Sequence, residues 1–156
     1  MRLWRLSDAP FARDFSGAYG LLFDGRWNTV GRPVTYCATV PSLAALEKRV
    51  HIEDESLLPP LAMVIYEAPD TLPVRTIELD ELPRDWTERQ TLTQQLGDEW
   101  LDRAEETILV MPSAIMPIAA APDRNILINH RRADAARIRI TEVVAFTLDE
   151  RLFRPA

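Results

Sequence analysis

The sequence predicts an α+β fold: one domain, with a mixed or antiparallel sheet and a few helices. Three observations carry this expectation. The chain has 156 residues, enough for a single domain with a real core. Several short segments have strand character, and the 12 dispersed prolines mark the boundaries along the chain. Helix-like and strand-like segments do not alternate strictly, which argues against a parallel sheet built from βαβ units.

The elements follow in chain order. "LWRL" (3–6) reads as a short strand. Residues 7–32 hold four of the five glycines and show little periodicity, so they read mostly as loop. "PVTYCAT" (33–39) is β-branched and aromatic, a strand. "SLAALEKRVHIED" (42–54) reads as a helix with Ser42 as its N-cap. "LAMVIYEA" (61–68) is almost continuously apolar, as a central strand is. "VRTIEL" (74–79) alternates like a half-buried strand. Residues 87–106 read as one helix or two short ones, broken near Gly97, with a strongly acidic, solvated face. "TILVMPSAIMP" (107–117) begins as a strand and enters a proline-bounded loop. "NILIN" (125–129) and "RIRITEVVAFTL" (137–148) close the set, for five or six strands with two or three helices. No repeat or low-complexity tract interrupts this order, and the expected unit is a single domain over 1–156.

Composition narrows the classes of function. A 47% hydrophobic and 27% charged chain is ordinary for a soluble globular protein. No apolar run approaches the roughly 18 residues of a membrane span, and the N-terminus does not read as a signal peptide. Cys37 is the only cysteine, which excludes an internal disulfide or a multi-cysteine zinc site and fits a reducing cytoplasm. The net charge of −6 is a poor match to nonspecific nucleic-acid binding. Lys48 is the only lysine among 18 basic residues, so the chain is rich in the planar forks of arginine, which suit phosphate.

A few residues stand out from this background. At helical spacing Leu43, Leu46 and Val50 share a face, and Glu47 falls on it. A carboxylate there is costly unless a partner meets it. Either Glu47 sits at the stripe's edge and reaches water or an arginine, or it projects into a ligand pocket. Arg26 and Trp27 lie between Gly25 and Gly31, a setting that allows close backbone approach. The segment fits a surface turn with a packed tryptophan, or an arginine forked onto a phosphate or carboxylate. Tyr36 shares a strand face with Val34 and is a core or a site residue. Ser113, between two prolines, is a turn residue and not a nucleophile elbow, because no G-x-S-x-G surrounds it. His51 and His130 have no partner at metal-ligand spacing, and no phosphate-binding glycine loop occurs, so no metal is expected.

Taken together, "GRWNTVGRPVTYCATVPSLAALE", "MPSAIMP" and "NILINHRR" resemble the RES domain, whose arginine, glutamate and serine match Arg26, Glu47 and Ser113. The opening "LWRL" fits as well, and the resemblance runs from Leu3 to about Phe153. It implies a toxin of a bacterial toxin–antitoxin pair, an Xre-type helix-turn-helix antitoxin covering the active site, and a fold similar to ADP-ribosylating toxins such as diphtheria toxin. It also implies NAD+ as substrate, with ADP-ribose passing to water, phosphate or a protein side chain. Homodimerisation is a further implication, whereas operator DNA is left to the antitoxin. The implied catalytic set is Arg26, Glu47 and Ser113, and the implied NAD+ contacts are Arg26, Trp27, Tyr36, Ser113 and Asn129. Arg5, Arg124, Arg131 and Arg132 would add positive potential at the mouth. The order differs from the wider arginine–serine–glutamate transferases, since Glu47 precedes Ser113. "EDE" (53–55) has a Glu-x-Glu spacing but closes an exposed-looking helix end. Three functions remain open at this point: an enzyme releasing ADP-ribose or its phosphate, a protein ADP-ribosyltransferase, or a noncatalytic module of a repressor complex.

Overall fold

A computed structural model describes residues 1–154. Seven strands form one mixed sheet: β1 (Arg2–Asp8), β2 (Val34–Ala38), β3 (Leu61–Glu67), β4 (Val74–Thr76), β5 (Ile108–Pro112), β6 (Arg124–Asn129) and β7 (Arg139–Phe146). Their order is β4-β5-β6-β2-β1-β3-β7. Only β4 and β5 run parallel. The helices are α1 (Ala18–Leu22), α2 (Pro41–Val50) and α3 (Gln90–Arg103). The α+β class with a mixed sheet is therefore what the chain adopts.

The sheet is really two ladders joined at a seam. β1 pairs with β3 along its whole length, from Arg2 opposite Glu67 to Asp8 opposite Leu61. β2 pairs fully with β6, from Val34 opposite Asn129 to Ala38 opposite Asn125. Between β1 and β2 the register has a single pair, Trp4 with Ala38. α2 lies across this seam and packs on both strands.

Side-chain alternation divides the core between two faces. On β2 and β6, Cys37, Ile126 and Ile128 turn to one face, with Leu3, Val64 and Tyr66. Val34 and Leu127 turn to the other, under α3, while Ala38 meets Leu43 and Ala44 of α2. Each leucine fully buried in these clusters contributes on the order of 1.5–3 kcal/mol. β3 reads as an unbroken apolar run because it has a strand on each side and both faces covered.

Several expectations are corrected. Among the described residues there are seven strands, not five or six, and "VRTIEL" contributes only Val74–Thr76, a short and exposed edge. The loop over 7–32 includes the small helix α1. α2 starts at Pro41 with Val40 as its N-cap, and Ser42 makes no capping bond. Proline at the first turn costs nothing there, because its missing N–H has no helical acceptor. Val50 is exposed, so the buried stripe of α2 is carried by Leu43 and Ala44. α3 runs unbroken through Gly97, which is there for close packing: a Cβ would lie 1.8 Å from the Trp27 carbonyl oxygen. Among the described residues no helix is long and apolar enough to cross a membrane.

Candidate functional site

Glu47 is four residues after Leu43 and three after Ala44, so the stripe that buries them carries its side chain to the sheet. It arrives half-buried at the seam, at the end of β6 and β5. Two donors meet it there. Asn125 Nδ2 donates to Glu47 Oε1 at 2.6 Å, and Ser113 Oγ donates to the same oxygen at 3.0 Å. Ser113 follows directly on β5 and is fully buried. Its hydroxyl oxygen accepts the Ile115 N–H at 3.0 Å and the Met116 N–H at 3.4 Å. With its lone pairs engaged by backbone, the hydroxyl has one role left, to give its proton to the carboxylate. This is a turn serine and a carboxylate donor at once.

Arg26 is placed by a second cluster. The turn Gly25–Asn28 closes on a Gly25 N–H to Asn28 carbonyl bond of 2.9 Å. The Tyr36 hydroxyl donates to Asn28 Oδ1 at 2.6 Å and accepts the Trp27 N–H at 3.1 Å. Thr93 Oγ1 of α3 donates to the Arg26 carbonyl at 2.6 Å. The guanidinium of Arg26 is half-buried and donates to the Thr87 carbonyl at 3.0 Å. Gly25 is required here, since a Cβ would lie 2.4 Å from the Tyr36 hydroxyl. Burial pushes the Tyr36 phenol above its usual range, and the carboxylates of Asp98 and Glu47 add to the shift. Tyr36 thus serves the arginine's turn, its hydroxyl spent on Asn28 and Trp27 and its ring packed against the core under α3.

Tyr36→Phe keeps the ring and removes that anchor. It leaves Asn28 Oδ1 and the Trp27 N–H without their partner, at a cost of about 1–3 kcal/mol. Urea unfolding will read this as a lowered midpoint with an unchanged slope. An unchanged midpoint would mean that water replaces the hydroxyl at no cost.

Two residues expected to contact ligand lie elsewhere. Trp27 is 1% exposed and packs against Trp86, ring centroids 6.0 Å apart, so its ring has no surface to offer. Asn129 is fully buried at the far end of β6 from Asn125; it donates to the Leu101 carbonyl and accepts the Arg131 N–H. Of the four arginines expected at the mouth, Arg5 points to the opposite sheet face and binds the carbonyls of Phe11 and Asp14. Arg124, Arg131 and Arg132 are ion-paired with Glu78, Asp102 and Asp134. His130 lies on that opposite face against Phe15, and burial lowers its pKa to about 4, so it is neutral near pH 7. Burial likewise raises the Cys37 thiol to about 12, which leaves it unreactive.

Asn125 is the residue that the sequence did not single out. "NILIN" has an asparagine at each end, and the strand period places both on one face. Only the register, with Asn125 opposite Ala38 beneath α2, separates the site asparagine from the structural one. A groove of 530 Å³ along α3 is lined by Thr29, Arg32, Gln94, Asp98 and Asp102 and does not include Glu47. Arg32 bridges both aspartates there. The Glu47 cluster is the candidate site: two side-chain amide and hydroxyl donors converge on one oxygen of a half-buried carboxylate, with no arginine or lysine paired to it among the described residues.

Fold and site together define an α+β protein with a helix-borne glutamate clamped over the seam of a mixed sheet. The fold is similar to that in the crystal structure of the Mycobacterium tuberculosis MbcT–MbcA toxin–antitoxin complex: TM-score 0.70 and 16% identity, over 94% of this chain and 84% of that one. The chain belongs to the RES domain family, whose sequence model matches residues 2–149. It is 40% identical to a Toxin Res of Pseudomonas putida, over 98% of this chain and 100% of the relative. It is 34% identical to a Toxin Res of Photorhabdus laumondii, over 99% and 98%. A Prs ADP-ribosylating toxin of Sphingobium is 32% identical, over 98% and 97%.

Proposed function

We propose that this chain is the toxin of a toxin–antitoxin pair and that it breaks the bond between nicotinamide and ribose in NAD+. The observation that carries the reading is the state of Glu47: a half-buried carboxylate whose Oε1 takes both donors while Oε2 has no protein partner among the described residues. Nicotinamide leaves as a neutral group, so its departure needs no general acid. The ribose left behind is oxocarbenium-like, as in glycoside hydrolysis. A fixed carboxylate beside it stabilises the developing charge, and such preorganised electrostatics are commonly the largest catalytic term. Arg26 is the candidate grip for the pyrophosphate or for an acceptor phosphate. The Tyr36 ring is the candidate platform for nicotinamide, since its hydroxyl is spent on the Arg26 turn. Ser113 positions and does not attack.

The partner in this reading is an antitoxin of the Xre type that covers Glu47 in the cytoplasm. The exposed apolar side chains of Tyr19, Leu22 and Phe23, beside the Arg26 turn, are consistent with a covered surface.

Protein ADP-ribosylation is the second reading, favoured by the relative named Prs ADP-ribosylating toxin. Proton NMR of the purified chain with NAD+ separates the readings. Free nicotinamide with ADP-ribose indicates hydrolysis, and a phosphate-dependent rate with a sugar 1-phosphate indicates phosphorolysis. Nicotinamide released only when a protein acceptor is added supports the second reading. No nicotinamide under any of these conditions rejects both.

A further inference from the structure

We infer that Asn125 is a positioning residue for Glu47: together with Ser113 it ties down Oε1 and so turns Oε2 toward the ligand. The role given to Oε2 rests on the NAD+-cleaving reading; the clamp itself does not.

The geometry limits the alternatives. Asn125 sits in β6, hydrogen-bonded in register with Ala38 on one side and Met111 on the other, so its backbone is fixed by two ladders. The residue is 8% exposed. Only the amide nitrogen of an asparagine can face a carboxylate oxygen, because the amide oxygen would repel it. The orientation with Nδ2 at 2.6 Å from Oε1 is therefore chemically determined. Ser113 is fixed as well, by the two backbone N–H groups on its oxygen. Both donors converge on one oxygen. A carboxylate held at a single oxygen from two directions is restrained about its last torsion. The donors fix where Oε2 lies, and Oε2 keeps its share of the negative charge there.

The same arrangement separates the two asparagines of "NILIN". Asn129, four residues along the same strand face, bonds to the backbone at Leu101 and Arg131 and supports the fold. The Asn125 side chain donates to a carboxylate and has no other hydrogen-bond partner among the described residues.

The test is Asn125→Asp, which keeps the shape and replaces the donor by a second carboxyl facing Oε1. Two carboxyls this close cannot both ionise freely, so the pair keeps one proton to higher pH. With that proton in place the introduced carboxyl donates to Oε1 and restores the clamp. Above that range it repels Glu47. The expected result is a kcat for NAD+ cleavage reduced about 100-fold at pH 8 with KM within about threefold. The rate should recover toward wild type as the pH falls, while the wild-type protein shows no such recovery. A pH profile parallel to wild type, or a loss confined to KM, overturns the inference. A second readout needs no turnover. In the ¹⁵N-labelled protein, the side-chain amide protons of Asn125 should be widely separated by the bond to a carboxylate, and Glu47→Gln, which leaves Asn125 a neutral acceptor in place of a charged one, should narrow that separation. An Asn125 signal indifferent to Glu47→Gln rejects the clamp. Absence of NAD+ cleavage by wild type with an intact amide signature rejects the cleavage reading and leaves the clamp standing.

Discussion

Glu47→Gln is expected to lower the rate of nicotinamide release by about 10³-fold and to leave the fold intact. Glutamine has nearly the shape of glutamate, and its amide oxygen can still accept from Ser113 and Asn125, the two donors now on Oε1. The clamp therefore survives sterically. What disappears, in the proposed NAD+-cleaving reaction, is the negative charge that would face the ribose as it becomes cationic. An exposed carboxylate would contribute little, because water screens it. Glu47 is half-buried and held by directed donors, and a fixed charge in a drier setting is worth several kcal/mol to a developing cation. The measurement is the initial rate of nicotinamide formation by proton NMR, beside circular dichroism of the same preparation. A rate within tenfold of wild type, in a folded variant, would remove Glu47 from the mechanism.

Gly97→Ala is expected to destabilise the protein by about 3 kcal/mol, lowering Tm by about 6–12 °C. Two effects oppose each other. Alanine is the better helix former by about 1 kcal/mol, which favours the substitution in the middle of α3. Sterics act the other way and are larger: the new Cβ would lie 1.8 Å from the Trp27 carbonyl oxygen and 2.8 Å from its carbonyl carbon. Neither atom belongs to a flexible side-chain end, so α3 or the turn bearing Trp27 must shift. Because Trp27 adjoins Arg26, the shift moves the candidate phosphate grip, and NAD+ cleavage should fall along with Tm. A variant that melts above wild type would show that propensity wins and that helix and turn are not in such close contact.

The outcome at Gly97 illustrates a general limit on reading a sequence. A glycine inside a helical stretch looks like a break when only propensity is considered. Here it is a contact point, and nothing local indicates that, because the partner is Trp27, seventy positions earlier. The same holds for Trp27 itself. The family resemblance implies a ligand contact for it, yet its bulk fills the core against Trp86, as the packed tryptophan that the segment alone allows. Tyr36 belongs with it, since its hydroxyl supports the arginine's turn from a neighbouring strand.

What the sequence determined by itself is the class of fold and the helix-borne carboxylate. Those follow from local periodicity: β-branched and apolar runs for strands, and three- and four-residue spacing that puts Glu47 behind Leu43. The family was legible too, because its arginine, glutamate and serine stand in segments with distinct neighbours. Tertiary structure alone decided which polar residues meet that carboxylate. Asn125 and Asn129 are equivalent in the strand pattern, and only the pairing of β6 with β2 under α2 puts one beside Glu47 and the other beside Leu101. The physical reason is that strand period sets a face, whereas position along the face depends on register and on the helix above it, both products of contacts far apart in the chain.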